Sequence, residues 1–276
     1  MRVFVTGATG YIGSEVVREL ISAGHKVIGL TRSDKGALKL REAGAEVHQG
    51  SLDDLDSLRS GAAVADGTIH LAFKHDFSDF AGSLDTDLRA IQAIGEVLEG
   101  TGKPFLTTAH ANGTASDNAT LGLAKRGVRA SVVSLSPSVH GDGDKGFIPR
   151  LINIARAKGL SAYIGDGSNR WTAVHRLDAA RLFRLALEAA PAGSKLDGVG
   201  DEAIPFRDIA NVIGGHLNLP VVSITSEEAT AHFGFLGPIA AIDIPRSSVQ
   251  TQKLLGWKPM HPTLIADLEH GHYFEK

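Results

Sequence analysis

The stretch Thr6-Gly-Ala-Thr-Gly-Tyr-Ile-Gly13 constrains the fold of this chain more than any other. It joins an apolar run, Arg2-Val-Phe-Val-Thr6, to apolar residues at helical spacing, Ile12, Val16, Val17, Leu20 and Ile21, so it predicts a strand, a glycine turn and a helix in that order. Each glycine has its own task in such a turn. Gly7 permits the tight bend, Gly10 lets the backbone approach a pyrophosphate, and Gly13 lets the helix pack closely on the strand. The first N–H groups of a helix have no partner within it and point at whatever anion lies there. Gly7, Thr9, Gly10, Tyr11, Ile12 and Gly13 are therefore the candidate cradle for a dinucleotide.

The alternation continues. Lys26–Thr31 reads as a second strand, followed by a helix capped by Ser33 and running to Ala43; Glu46–Gln49 reads as a third strand and 53–60 as a short helix. Residues 68–72, Pro104–Thr108 and 129–134 read as further strands, with helices over 85–99 and about 117–126 and a loop over 111–117. Repeated βαβ units with right-handed crossovers force a parallel sheet covered by helices on both faces. The expected fold is thus α/β, a Rossmann-type doubly wound parallel sheet with a smaller C-terminal α/β lobe. Residues 1–140, with returning segments such as 171–190, are expected to form the dinucleotide-binding domain, and 141–276 mainly the substrate lobe.

Composition removes several function classes. The net charge is -3 and no long run of Lys or Arg occurs, so neither nucleic acid nor a membrane surface is an expected partner. No apolar stretch approaches the roughly 18 residues of a membrane span, and the start of the chain lacks a signal-peptide pattern, so the expected location is the cytoplasm. With no cysteine there is no disulfide or thiolate ligand, and the 12 histidines include no His-Glu-x-x-His pair, so no metal is expected.

The end of the second strand selects the cofactor. An acidic side chain there would bind the ribose hydroxyls of NAD(H); this chain has Thr31-Arg32-Ser33 instead, a guanidinium and two hydroxyls suited to a 2'-phosphate. NADP(H) is favoured over NAD(H), the open alternative being an Arg32 that is solvated or stacks on adenine without selecting phosphate.

These motifs resemble the extended or atypical short-chain dehydrogenase/reductase family, the group of NAD-dependent epimerase/dehydratase-like proteins. The resemblance rests on the glycine turn and on Gly50-Ser-Leu-Asp-Asp-Leu-Asp-Ser-Leu58, Ile69-His-Leu-Ala-Phe73, Leu135-Ser-Pro-Ser-Val-His-Gly141, Val174-His-Arg-Leu-Asp-Ala-Ala180 and Leu255-Gly-Trp-Lys-Pro259. It implies that Ser51 and Leu52 flank the adenine, with Ser51 standing where the family usually has Asp. It also implies that Ala72 and Phe73 line the cofactor, that Thr108 occupies the place of the catalytic Ser or Thr, and that Pro137 to Val139 face the nicotinamide. A homodimer through the helices near 85–99 and 117–126 is implied on the same ground.

The departure from the family is catalytic. Its usual acid is a Tyr with a Lys four residues later, yet none of the three tyrosines here is followed by Lys at that spacing. The region between Thr108 and the next helix is also short, either trimmed or lacking a segment. Thr108 and His140 are the candidate catalytic residues, His140 because it follows Pro137-Ser-Val at a strand end; the alternative is a histidine satisfied by a neighbouring carbonyl. His75, His110, His140, Trp171 and His175 are the candidate substrate residues. Phe233, Phe235, Leu236 and Ile239 roof a hydrophobic substrate or fill the lobe's core. The reading that follows is an NADP(H)-binding oxidoreductase for a small, largely apolar carbonyl or alcohol, the alternatives being a non-enzymatic NADP(H) redox sensor and a non-redox isomerase, lyase or cyclase.

Overall fold

The computed structural model describes residues 1–76 and 78–275. Its elements run β1 (Arg2–Thr6), α1 (Tyr11–Ser22), β2 (Lys26–Thr31), α2 (Asp34–Glu42), β3 (Glu46–Gln49), α3 (Leu55–Ala63), β4 (Gly67–His70), α4 (Phe80–Leu98), β5 (Pro104–Thr108), α5 (Thr114–Gly122) and β6 (Arg129–Leu135). They continue with β7 (Ser138–His140), α6 (Phe147–Lys158), β8 (Ser161–Ile164), β9 (Arg170–His175), α7 (Arg176–Ala189), β10 (Ser194–Gly198), β11 (Asp201–Pro205), α8 (Phe206–Leu217) and β12 (Val221–Ile224). Four short helices follow, α9 (Ala229–Phe233), α10 (Gly237–Ala240), α11 (Val249–Leu255) and α12 (Leu264–Glu269).

Seven strands form one sheet in the order β10-β6-β5-β4-β1-β2-β3, the parallel doubly wound arrangement that the βα alternation predicts. The order reverses between β1 and β4, which is where open α/β sheets bind ligands beyond the carboxyl ends of their strands. In that row Thr6 pairs with His70 and His70 with Thr107, so the three side chains share one face of the sheet.

The chain forms two compact units. The first comprises Met1–Ser134, Ala179–Leu196 and Gln250–Trp257; the second comprises Leu135–Asp178, Asp197–Val249 and Lys258–Lys276. The first division falls at Leu135 and not after residue 140, because β7 pairs with β9 in a separate sheet of order β11-β9-β7. The returning segments are 179–196 and 250–257, where the sequence pattern suggested 171–190.

In the first unit, Phe4, Ile28, Leu30 and Phe105 from the sheet pack against Leu58 and Ala62 of α3 and Ile91, Ile94 and Leu98 of α4, all buried. Burial of such side chains contributes about 1.5–3 kcal/mol each. The second unit has its own core, with Trp171, Phe206, Ile209, Phe233 and Leu236 at its centre. Phe233 and Leu236 thus belong to this core, while Phe235 is exposed.

Helix boundaries differ from the sequence pattern where caps act. The Asp79 carboxylate accepts the Gly82 N–H and starts α4 at Phe80, ahead of the expected residue 85; Asp54 caps α3 in the same manner. The expected loop over 111–117 is already helical from Thr114, and the segment then tightens into a 3₁₀ turn over Leu123–Arg126. No helix among the described residues is long and apolar enough to cross a membrane.

Candidate functional site

In the first unit the site begins at the carboxyl end of β1. Gly7 has φ +67°, and a Cβ on it would stand 2.7 Å from the Ala72 nitrogen; a Cβ on Gly13 would stand 2.0 Å from the Gly7 carbonyl oxygen. The turn closes through Gly10 N–H donating to Gly7 O at 2.9 Å. Gly10 then stands at the N-cap of α1 with no side-chain cap, and the first turn of that helix has no acidic residue. A dinucleotide's diphosphate fits this cradle: side chains are excluded from it by contact distance, and helix N–H groups remain to be satisfied.

The Thr31-Arg32-Ser33 corner follows β2. Arg32 and Ser33 are exposed and Thr31 is buried. Ser33 Oγ accepts the Gly36 N–H at 3.1 Å and caps α2, so its hydroxyl has a structural task beside any role toward phosphate. Gly36 is required there, since a Cβ would stand 2.1 Å from Thr31 Oγ1. Ser51 and Leu52 are half-buried after β3, and Leu52 packs against the core of this unit. The loops after β3 and β4 are joined by Lys74 and Asp53, 2.6 Å apart.

Ala72 and Phe73 lie in the loop after β4. The Phe73 ring stacks on His110 with centroids 3.9 Å apart and meets His75 edge-on at 5.3 Å, so three of the expected residues come together in this unit. Thr108 ends β5, and its Oγ1 is buried with no hydrogen-bond partner among the described residues. Burial pulls the His110 pKa down to about 4 against a smaller opposing effect of Asp87, so at neutral pH the ring is uncharged.

Local pattern did not single out the polar chain behind these residues. Thr6 Oγ1 lies 2.8 Å from His70 Nδ1, His70 Nε2 lies 3.2 Å from Asp87 Oδ1, and His110 Nε2 lies 3.9 Å from the same oxygen. His70 and Asp87 are 2% and 1% exposed. Burial pushes the Asp87 carboxyl up, but hydrogen bonds from His70 and Ser116 and the nearby imidazoles outweigh it and hold the pKa below the ordinary value.

Pro137, Val139, His140, Trp171 and His175 belong to the second unit. His140 is wholly buried, with Nδ1 2.8 Å from Asp267 Oδ2. Nδ1 is thus held by a carboxylate, where the sequence alternative was a carbonyl, and Nε2 is buried with no hydrogen-bond partner among the described residues. Trp171 is also wholly buried, between Phe147 and Phe206, and serves as core where a substrate contact was expected. His175 stacks on His261 at 4.8 Å, faces His140 edge-on at 5.3 Å, and is pulled down to about 4, chiefly by burial.

Asp178 accepts the N–H groups of Met260 and His261 at 3.0 Å each and His261 Nδ1 at 2.9 Å. Residues near the C-terminus also enter this cluster. Tyr273 OH donates to Asp144 at 3.1 Å and accepts the Gly141 N–H at 3.0 Å, and His272 lies 3.8 Å from Asp267. Among the described residues no group of three or more His, Asp or Glu is arranged to hold a metal.

Residues 1–90 match the model of the NmrA-like family. The chain is 51% identical to an uncharacterized protein, C2A9.02, of Schizosaccharomyces pombe, over 99% of this chain and 100% of that protein. That alignment runs to 296 positions, more than this chain's 276 residues, so the relative contains residues this chain lacks. It is 28% identical to the 2-alkyl-3-oxoalkanoate reductase of Stenotrophomonas maltophilia over 84% of this chain and 80% of that one. Among solved structures, the dTDP-glucose 4,6-dehydratase DesIV of Streptomyces venezuelae, with NAD bound, superposes with a TM-score of 0.77 at 17% identity over 99% of this chain and 97% of that one, a likeness of fold.

Proposed function

The chain belongs to the extended short-chain dehydrogenase/reductase family, whose members bind NAD(P), and from that membership we propose that it is an NADP(H)-dependent oxidoreductase of a small, largely apolar carbonyl or alcohol. The observation that carries the proposal is the glycine turn at the mouth of α1, a cradle that a Cβ at Gly7 or Gly13 would fill. When bound, the nicotinamide supplies or takes up hydride. The protein's part is to hold, orient and polarise.

Arg32 supports the preference for NADP(H): it is exposed at the end of β2, where Thr31-Arg32-Ser33 holds no acidic residue in the place of the ribose-binding carboxylate. Thr108 supports the carbonyl reading, because its buried and unpartnered Oγ1 is a ready hydrogen-bond donor to a substrate oxygen. The reductase relative's 3-oxo substrate points the same way. A second reading, a sensor that binds the dinucleotide without turnover, is favoured by the missing Tyr-x-x-x-Lys pair. It predicts different affinities for NADPH and NADP+ with no NADPH oxidation across a panel of ketones.

Fluorescence titration of the purified chain with NADPH and NADH, beside Arg32→Ala, tests the cofactor assignment. NADPH binds at least about tenfold more tightly than NADH, and the substitution removes most of that margin. Equal affinity for the two cofactors in the unmodified protein defeats the NADP(H) preference.

A further inference from the structure

Gly7 lies so near the Leu71–Ala72 peptide that a Cβ on it would stand 2.7 Å from the Ala72 nitrogen. Where that peptide sits therefore decides where the glycine turn sits. Its two amides are both held by Thr6, but unequally. The Leu71 N–H is shared between the Thr6 carbonyl at 3.3 Å and Thr6 Oγ1 at 3.2 Å. The Ala72 N–H donates to Thr6 Oγ1, also at 3.2 Å, and among the described residues no carbonyl shares it.

A hydroxyl oxygen has two acceptor positions, and the two amides fill them. The hydroxyl proton is left the third direction, toward His70 Nδ1 at 2.8 Å on the same face of the sheet. Thr107, the other hydroxyl of that row, is engaged with Thr120 Oγ1 at 3.1 Å. His70 Nδ1 thus accepts, so the ring carries its hydrogen on Nε2, which points at Asp87 Oδ1 at 3.2 Å. The opposite tautomer fails on count. A hydrogen on Nδ1 would bring a third donor to Thr6 Oγ1, and one amide would lose its acceptor beside a residue that is wholly buried.

We propose that His70 is a positioning residue for the dinucleotide cradle: its bare Nδ1 takes the Thr6 proton and so leaves the hydroxyl's lone pairs to hold the Ala72 amide beside Gly7. Asp87 acts from behind, as the acceptor that keeps the ring hydrogen on Nε2. Both side chains act through Thr6, and neither is assigned a contact with the ligand. The inference rests on the cofactor reading above.

Amide side chains separate the two edges of the imidazole. His70→Asn puts a carbonyl oxygen near the place of Nδ1 and gives up the bond to Asp87, whereas His70→Gln reaches Asp87 and leaves the Thr6 proton without an acceptor. The test is calorimetric titration of the full-length variants and the unmodified chain with NADPH, beside amide hydrogen exchange of the unliganded proteins. His70→Gln weakens NADPH at least about fivefold, and His70→Asn stays within about twofold of the unmodified chain. In His70→Gln the Ala72 amide exchanges faster, and Leu71, which keeps the Thr6 carbonyl, changes less. A histidine that merely fills the core moves both variants alike, so equal affinities in the two overturn the proposal and leave the cofactor reading standing. Failure of the unmodified chain to bind NADPH or NADH overturns both. Should a variant not fold, the imidazole nitrogen NMR spectrum of the unmodified protein decides: a hydrogen on His70 Nε2 and none on Nδ1 is expected, and a hydrogen on Nδ1 overturns the assignment.

Discussion

The pair His70–Asp87 in the first unit and the pair His261–Asp178 in the second each set an imidazole against a carboxylate that is 1% exposed, at 3.2 and 2.9 Å. Asp178 is saturated: both of its oxygens accept, one from the Met260 N–H and the His261 ring and the other from the His261 N–H. Asp87 has the His70 ring on Oδ1 and no hydrogen-bond partner on Oδ2. A saturated buried carboxylate spends its charge on the protein and acts as a staple. An unsaturated one keeps an acceptor in reserve.

The comparison breaks most visibly in stability. Asp178→Ala orphans two part-buried N–H groups and an imidazole, and the expected loss is about 2–4 kcal/mol in urea unfolding. Asp87→Asn, which relieves an unsatisfied charge, costs less than about 1.5 kcal/mol. Equal losses in the two variants sink the distinction between staple and reserve. In turnover the order reverses. Thr108→Val depresses NADPH-dependent ketone reduction by at least about tenfold with an unchanged melting temperature, whereas His140→Phe lowers the melting temperature and changes kcat by less than about threefold.

The smallest effect concerns pH. The folded pKa values of His110 and His175, about 4, lie below the ordinary 6.5, so the unfolded chain binds more protons between those values. Stability therefore falls as pH drops from 6.5 toward 4 and levels off below. A set of urea curves across that window should show the slope, and His110→Gln should flatten it; a slope of opposite sign contradicts neutral burial of the two rings.

Much of the first unit is legible in the sequence because its signals are local. The Gly7, Gly10 and Gly13 spacing, the Ser33 cap and the alternating apolar runs each lie within a few residues of what they determine. The start of α4 was missed because Asp79 acts as a cap without an apolar repeat beside it, and the start of α5 because Ala111-Asn-Gly-Thr-Ala-Ser contains no apolar stripe. The histidine–aspartate pairs were beyond local reading altogether. His70 and Asp87 are 17 residues apart, His261 and Asp178 are 83, and His140 and Asp267 are 127, so only the folded chain joins them. The one available hint was that Ile69-His-Leu-Ala-Phe73 puts a histidine in an otherwise apolar strand end, a place that demands a partner.

The contact between Gly7 and the Leu71–Ala72 peptide has a mechanical consequence. The two backbones touch so closely that no Cβ fits between them, and one threonine hydroxyl ties both amides of the β4 loop to the strand that feeds the glycine turn. Neither loop can shift without dragging the other. Whatever seats itself against α1 thereby bears on a turn that is braced, one strand over, against the residues leading into Phe73.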